Sequence, residues 1–208
     1  ILNEGESGEW LLNYRAGSFL VSDTPRNRRK AALMGVNIET LDGSALAAIR
    51  HEIETNNMEA VPLEKAPRIA VYTPPNSSPW DDAVTLALEY AEIPYEKIWD
   101  RDVLSEALDN YDWLHLHHED FTGQYSKFYL TYASSAWLQE EVARNEAIAR
   151  ELGYDNVPAL KKAVAHRLRE YVHAGGFLFA MCTATETLEL ALAAEEVDIA
   201  ASFADGSP

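Results

Sequence analysis

Short apolar runs alternate with helical stretches from residue 69 onward. Ile69-Ala70-Val71-Tyr72 is a four-residue run without a polar break, the pattern of a strand buried on both faces of a parallel sheet. Tyr95–Trp99, Trp113–His117 and Phe177–Met181 repeat the signal, the last as another buried strand. Between them, Ser78-Pro79 opens a helix through about Glu92, with Ala83, Leu86, Ala87 and Tyr90 as its inward stripe. A short helix spans Asp102–Leu108, and two long helices cover Ser135–Leu152 and Pro158–Ala174, stopped by Gly153 and Gly175-Gly176. Thr183–Ala194 reads as a helix and Val197–Ala201 as a last strand. Strand–helix alternation of this kind predicts an α/β fold with a mostly parallel sheet covered on both faces.

The first 66 residues read differently. Glu9–Val21 predicts a strand, a turn at Ala16-Gly17 and a second extended piece. Asp23-Thr24-Pro25 starts a helix to about Met34. Val36–Leu41 reads as a short strand, and a helix follows over Ser44–Asn56. Pro62 and Pro67 frame a connector, so a single α/β domain is expected with an N-terminal part, 1–66, and a second part, 67–208. The chain reads as incomplete at both ends.

In a parallel sheet, ligands bind where the strands' carboxyl ends meet helix N-termini. That rule singles out the loops after Tyr72, His117 and Met181. Cys182, the only cysteine, stands where a strand turns into a helix. The positive end of the helix dipole and its free N–H groups favour a thiolate there and are able to hold an oxyanion. The alternative is an inert apolar cysteine at a strand end. Glu186, in the first turns of the same helix, either complements the dipole or tunes Cys182. Trp80, Asp81 and Asp82 read as an ordinary acidic first turn.

The string His115-Leu116-His117-His118-Glu119-Asp120 is the second signal. His115 and His117 share one strand face, while His118, Glu119 and Asp120 fall in the loop, where functional groups concentrate. The cluster supplies a general base, or as an alternative a metal site on His117, His118 and Asp120, although it lacks the HExxH spacing. Gly123 allows a turn that aims an N–H at a ligand. No GxGxxG or Walker pattern occurs, so the nucleotide fingerprints are absent and no cofactor is implied.

Three strings, RIAVYTPPNSSPWDDAVTLALEYAEIPYEKIWD, YDWLHLHHEDFTGQY and GGFLFAMCTATET, resemble a bacterial family labelled asparagine synthetase B. The resemblance runs from about Glu9 to Ile199. It implies a class I glutamine amidotransferase-like fold, a flavodoxin-like three-layer sandwich with a cysteine elbow, and amide transfer from glutamine. On that reading Cys182 is the nucleophile, with His118, Glu119 and Glu186 as its catalytic partners. Gly123, Thr183 and Asp120 then serve the oxyanion or the substrate. No histidine follows Cys182, so the base is expected from His118 or from beyond Pro208. The family resemblance also implies a bacterial protein, exported to the periplasm or beyond, or otherwise cytoplasmic. A non-catalytic binding or scaffold module on the same fold is the competing expectation.

Charge restricts the partners. Seventeen Lys and Arg stand against 34 Asp and Glu, a net charge of −17. Such a surface repels phosphates, which argues against nucleic acid and anionic membranes as partners and leaves room for a small-molecule substrate. The cluster Arg26, Arg28, Arg29 and Lys30 reads as the polar face of a helix. No apolar run reaches the roughly 20 residues of a membrane helix. Lys occurs only six times and acids are spread throughout, the bias of a protein from a high-salt setting. The expected outcome is a thermal midpoint that rises from low to molar salt. A midpoint that stays level would refute the high-salt reading.

Overall fold

The computed structural model describes residues 18–58, 60, 65–78 and 82–206, and for Ser126 and Lys127 the backbone only. The chain divides into two compact units, Ile1–Ala66 and Pro67–Pro208.

In the first unit, α1 (Pro25–Leu33) is capped by Thr24, whose hydroxyl accepts the Asn27 N–H at 3.1 Å. Its basic residues are exposed, and Arg28 pairs with Asp23. In α2 (Gly43–Thr55), Asp42 caps the N-terminus and Ile49 is the buried residue, packed by Leu41, Ile53 and Met58. The strand expected over Val36–Leu41 does not form, and Val36 and Ile38 are exposed. The strand expected in Glu9–Val21 lies outside the described residues up to 17; residues 18–23 form no regular element.

The second unit is α/β. Among the described residues its strands are β1 (Ile69–Tyr72), β2 (Glu96–Ile98), β3 (Trp113–Leu116) and β4 (Phe177–Ala180). All pair in parallel, in the order β2-β1-β3-β4. The register sets Leu114 beside Leu178 and Leu116 beside Ala180 on one face. There they join Ala70 and Tyr72 in the main core, with Leu160, Val164 and Leu168 of α7 (Val157–His173) and Ala184 and Ala191 of α8 (Thr183–Ala193). The opposite face carries Ile69, Val71, Trp113 and His115. It is covered over β1 and thins toward β4, where Phe177 is 57% and Phe179 45% exposed. β4 is therefore not the doubly buried strand that its apolar run predicts: among the described residues it is an edge strand, as β2 is, with a neighbour on one side only.

Helix boundaries follow local chemistry. Residues 79–81 lie outside the described set, and α3 (Ala83–Tyr90) begins after Asp82, whose carboxylate accepts the Val84 and Thr85 N–H groups. The expected inward stripe is wrong in phase: Ala83, Leu86, Ala87 and Tyr90 face outward, and Thr85 is buried. The expected Asp102–Leu108 helix is α4 (Asp100–Val103) followed by a 3₁₀ turn, Glu106–Asn110, because the Ser105 hydroxyl caps a new start. α5 (Ser126–Tyr132) was not expected, whereas α6 (Ala136–Glu151) was. The last expected strand, Val197–Ala201, is irregular and leads to α9 (Ser202–Asp205). Gln124 occupies its backbone instead: the amide nitrogen donates to the Ile199 carbonyl at 3.1 Å and the amide oxygen accepts the Ala201 N–H at 2.8 Å.

One polar knot sits inside this core. Lys161 of α7 is 4% exposed, and its ammonium donates to both Asp100 oxygens, at 2.8 and 3.0 Å, and to the Tyr72 hydroxyl at 2.8 Å. The Tyr72 hydroxyl in turn donates to Asp100. The ammonium also lies 4.1 Å from the centre of the Trp99 ring. Removing one partner strands a buried charge. Lys161→Met is expected to lose about 3–5 kcal/mol of stability in denaturant unfolding. The double change Lys161→Met, Asp100→Leu should recover most of it, and a double variant no better than the single one would contradict this account.

Candidate functional site

The strand order reverses between β1 and β3: the chain leaves β1 for β2 on one side and returns to β3 on the other. Ligands bind at such a switch point, outside the carboxyl ends of the strands. Three loops meet there. The loop after β1 leads to Asp82, the loop after β3 carries His117–Gly123, and the turn after β4 carries Cys182. The second and third are joined directly. The Ala184 N–H donates to the His117 carbonyl at 3.4 Å, and the Thr187 hydroxyl donates to the Glu119 carbonyl at 3.0 Å.

Cys182 is exposed and caps α8 with φ 55° and ψ −140°. A residue with a β-carbon rarely adopts positive φ, and the strain is of the order of 1–3 kcal/mol. It is kept because Met181 still bonds to Leu116 as the strand's last rung while Thr183 already starts the helix. The result is a sharp strand-to-helix turn that thrusts the thiol outward. The Thr183 hydroxyl lies 3.8 Å from Sγ. The Thr183 N–H makes no hydrogen bond among the described residues, as befits a first-turn amide of a helix. Glu186 is exposed in the first turn, and no contact among the described residues brings it to Cys182, so it serves the helix dipole.

Asp82, His117 and His118 converge. Asp82 and His117 Nδ1 are paired, His118 Nδ1 lies 2.7 Å from His117 Nδ1, and the same Asp82 oxygen is 3.5 Å from His118 Nδ1. Burial opposes ionisation of Asp82, yet the Val84 N–H, the His117 ring and the Thr85 N–H outweigh it and hold the carboxyl below its ordinary value. His115, one strand position back, stacks on Phe179 with centroids 5.3 Å apart. Burial, then the His117 charge, pushes its imidazole down.

Beside this cluster opens a cleft of about 270 Å³, lined by His118, Glu119, Asp120 and Gly123 of the loop after β3. Cys182, Thr183 and Glu186 are not among its walls. Trp99, Tyr125, Trp137, Glu141, Asn145 and Lys161 complete its main polar and aromatic surfaces. Glu119 is 7% exposed: Oε2 accepts the His117 N–H at 3.0 Å, while Oε1 is buried without a partner among the described residues. Burial pushes the Glu119 and Glu141 carboxyls up, against nearby positive charges that act in the opposite sense.

Two expectations are corrected here. Asp120 does not join the histidines as a metal ligand, because it turns to the Thr122 N–H at 2.8 Å and the Thr122 hydroxyl. Asp82 takes that place. Gly123 does not offer its N–H to a ligand, since that group donates to the Asp120 carbonyl at 3.3 Å. Its glycine is required for another reason: φ is +74°, and a β-carbon would stand 2.8 Å from the Pro158 backbone. In sequence Asp82 reads as an ordinary acidic first-turn residue, which masks its part in the cluster. Its place at the end of the loop after β1 was the available signal.

Glu141 gives a stability test. Its folded carboxyl holds a proton to higher pH than the unfolded one, so the native state is penalised as pH rises above the ordinary glutamate value. Glu141→Gln should therefore be more stable than the parent at neutral pH and equal to it near pH 4. Unfolding in urea across that range decides, and equal stability at neutral pH would reject the burial argument.

No protein-family model matches the chain, and no curated protein and no solved structure matches it.

Proposed function

We propose that the chain is a cysteine-dependent acyl-transfer enzyme that cleaves an amide or ester of a small molecule. The observation that carries this is Cys182 itself, an exposed thiol held at φ 55°, ψ −140° on a strand-to-helix turn. Strain at that point has a use when it presents a nucleophile clear of the sheet, with the first N–H groups of the following helix beside it. The strand order β2-β1-β3-β4 favours the finer fold reading, a flavodoxin-like, class I glutamine amidotransferase-like sandwich. Amide-bond cleavage is the half of the activity implied by the resemblance to the asparagine synthetase B family for which residues are at hand.

In this mechanism Sγ attacks the carbonyl carbon and the Thr183 N–H receives the developing oxyanion. The C–N or C–O bond breaks, the thiol proton leaves with the departing amine or alcohol, and water then hydrolyses the thioester to the acid. Glu119 is suited to carry protons, as a buried carboxyl with a free oxygen on the wall of the cleft and backbone contact to α8. His118 turns its Nδ1 to His117 and Asp82, so the proton-carrying role expected of it passes to Glu119.

An activated acyl ester, p-nitrophenyl acetate, is the first probe. A burst of nitrophenolate equal to the protein concentration is expected, with one acetyl group on Cys182 by mass spectrometry. Cys182→Ala should lower the rate by at least about 10³-fold. Turnover that survives Cys182→Ala, or a thiol that takes no acyl group, would replace this reading with that of a binding module.

A further inference from the structure

An imidazole nitrogen has a single in-plane site, filled by either a proton or a lone pair. His117 Nδ1 faces two partners at that site, the Asp82 carboxylate and, at 2.7 Å, His118 Nδ1. With a proton, it donates to Asp82 and offers His118 no second straight hydrogen bond. Without one, it turns a lone pair toward a carboxylate. If both imidazoles are protonated, two N–H groups collide at 2.7 Å. No proton arrangement gives all three contacts a well-shaped donor and acceptor. A cation removes the conflict, because it accepts all three lone pairs together once the ligand atoms spread to the spacing of a tetrahedral site, about 3.3 Å.

We infer that Asp82, His117 and His118 form a binding site for a divalent transition-metal ion of the zinc class. The three ligand atoms all lie within 4.8 Å of one another. Two neutral imidazoles and one carboxylate suit zinc and its neighbours, whereas magnesium and calcium require oxygen-rich sites. The ligands are fixed from behind, as working metal sites require. The other Asp82 oxygen is held by the Val84 N–H at 2.6 Å and the Thr85 N–H at 3.3 Å. The His117 backbone is held by Glu119 at 3.0 Å. Asp82 is almost fully buried, His117 is 16% exposed and His118 is 48% exposed, so the open side of the site is that of His118. His118 also lines the cleft. Three protein ligands leave a fourth position, and a water or a substrate oxygen in the cleft is the group to fill it.

This inference stands on the three side chains and goes beyond the proposed role of Cys182. The test is therefore made in the full chain carrying Cys182→Ala, which also removes the thiol as a competing ligand. Chelator-treated protein is titrated with Zn²⁺ by calorimetry and with Co²⁺ by visible absorption. One ion per chain is expected, with the strong bands of a low-coordinate Co²⁺ site, and excess Mg²⁺ should not displace it. His118→Ala lies at a half-exposed position and should fold normally. It should weaken Zn²⁺ binding by more than about 100-fold, beyond what changes behind the ligands produce. Asp82→Asn keeps a cap for α3 and should weaken it as well. Absence of stoichiometric binding, binding that persists in His118→Ala, or displacement by Mg²⁺ would overturn the assignment. Loss of acyl transfer in Cys182→Ala has no bearing on any of these readings.

Discussion

A buried ammonium holds the second unit together. Lys161 reaches from the long helix α7 to Asp100 at the start of α4 and to Tyr72 at the end of β1. Three elements distant in sequence are thereby tied at one point beneath the carboxyl edge of the sheet. All three N–H bonds of the ammonium are spoken for, two by Asp100 and one by Tyr72. Such a group contributes position more than net stability, since two charges have been taken out of water to make it. Lys161 and the Trp99 ring beneath it also line the cleft, so one wall is fixed by the core while the loops supply the others. The Tyr72 phenol, with its acidity suppressed by burial and by the Asp100 charge, remains a donor in that knot.

What the sequence discloses, and what it hides, follows from which signals have a phase. β1 and β3 were legible because short apolar runs between loops leave few other readings, and all four residues of β1 are buried as that pattern requires. β4 was legible as a strand but not as an exposed one, because an apolar run carries no information about whether a neighbour lies beyond it. In α3 almost every side chain is apolar or small, so an apolar stripe fits either side and the sequence does not fix its phase. Val197–Ala201 has the residues of a strand, yet the side chain of Gln124 meets its backbone groups, a substitution that no periodicity reveals.

The candidate site was legible as three loops and not as a constellation. Cys182, His118 and Glu119 were found because the carboxyl-end rule points to them. Their mutual arrangement depends on contacts across 35 to 68 positions of sequence, such as that between His117 and Asp82 or between Thr187 and the Glu119 carbonyl. Asp120 follows the histidines in the chain and Asp82 lies 35 positions before His117, so proximity in sequence points to Asp120 alone. An aspartate two residues before a threonine bends back on its own backbone, and that local bond takes precedence. The carbonyl of His117 and the N–H of Ala184 then lock the histidine loop to the cysteine turn, so a shift of either segment is felt by the other.

The thinly covered edge at β4 has a consequence for how the molecule behaves in company. Phe177 and Phe179 stand on a strand with no further strand beside it among the described residues, and an unpaired edge is a template for another strand. At low ionic strength a charge of −17 on every copy keeps two such edges apart. Salt that quiets repulsion within one molecule also quiets it between molecules, since the screening length does not distinguish them.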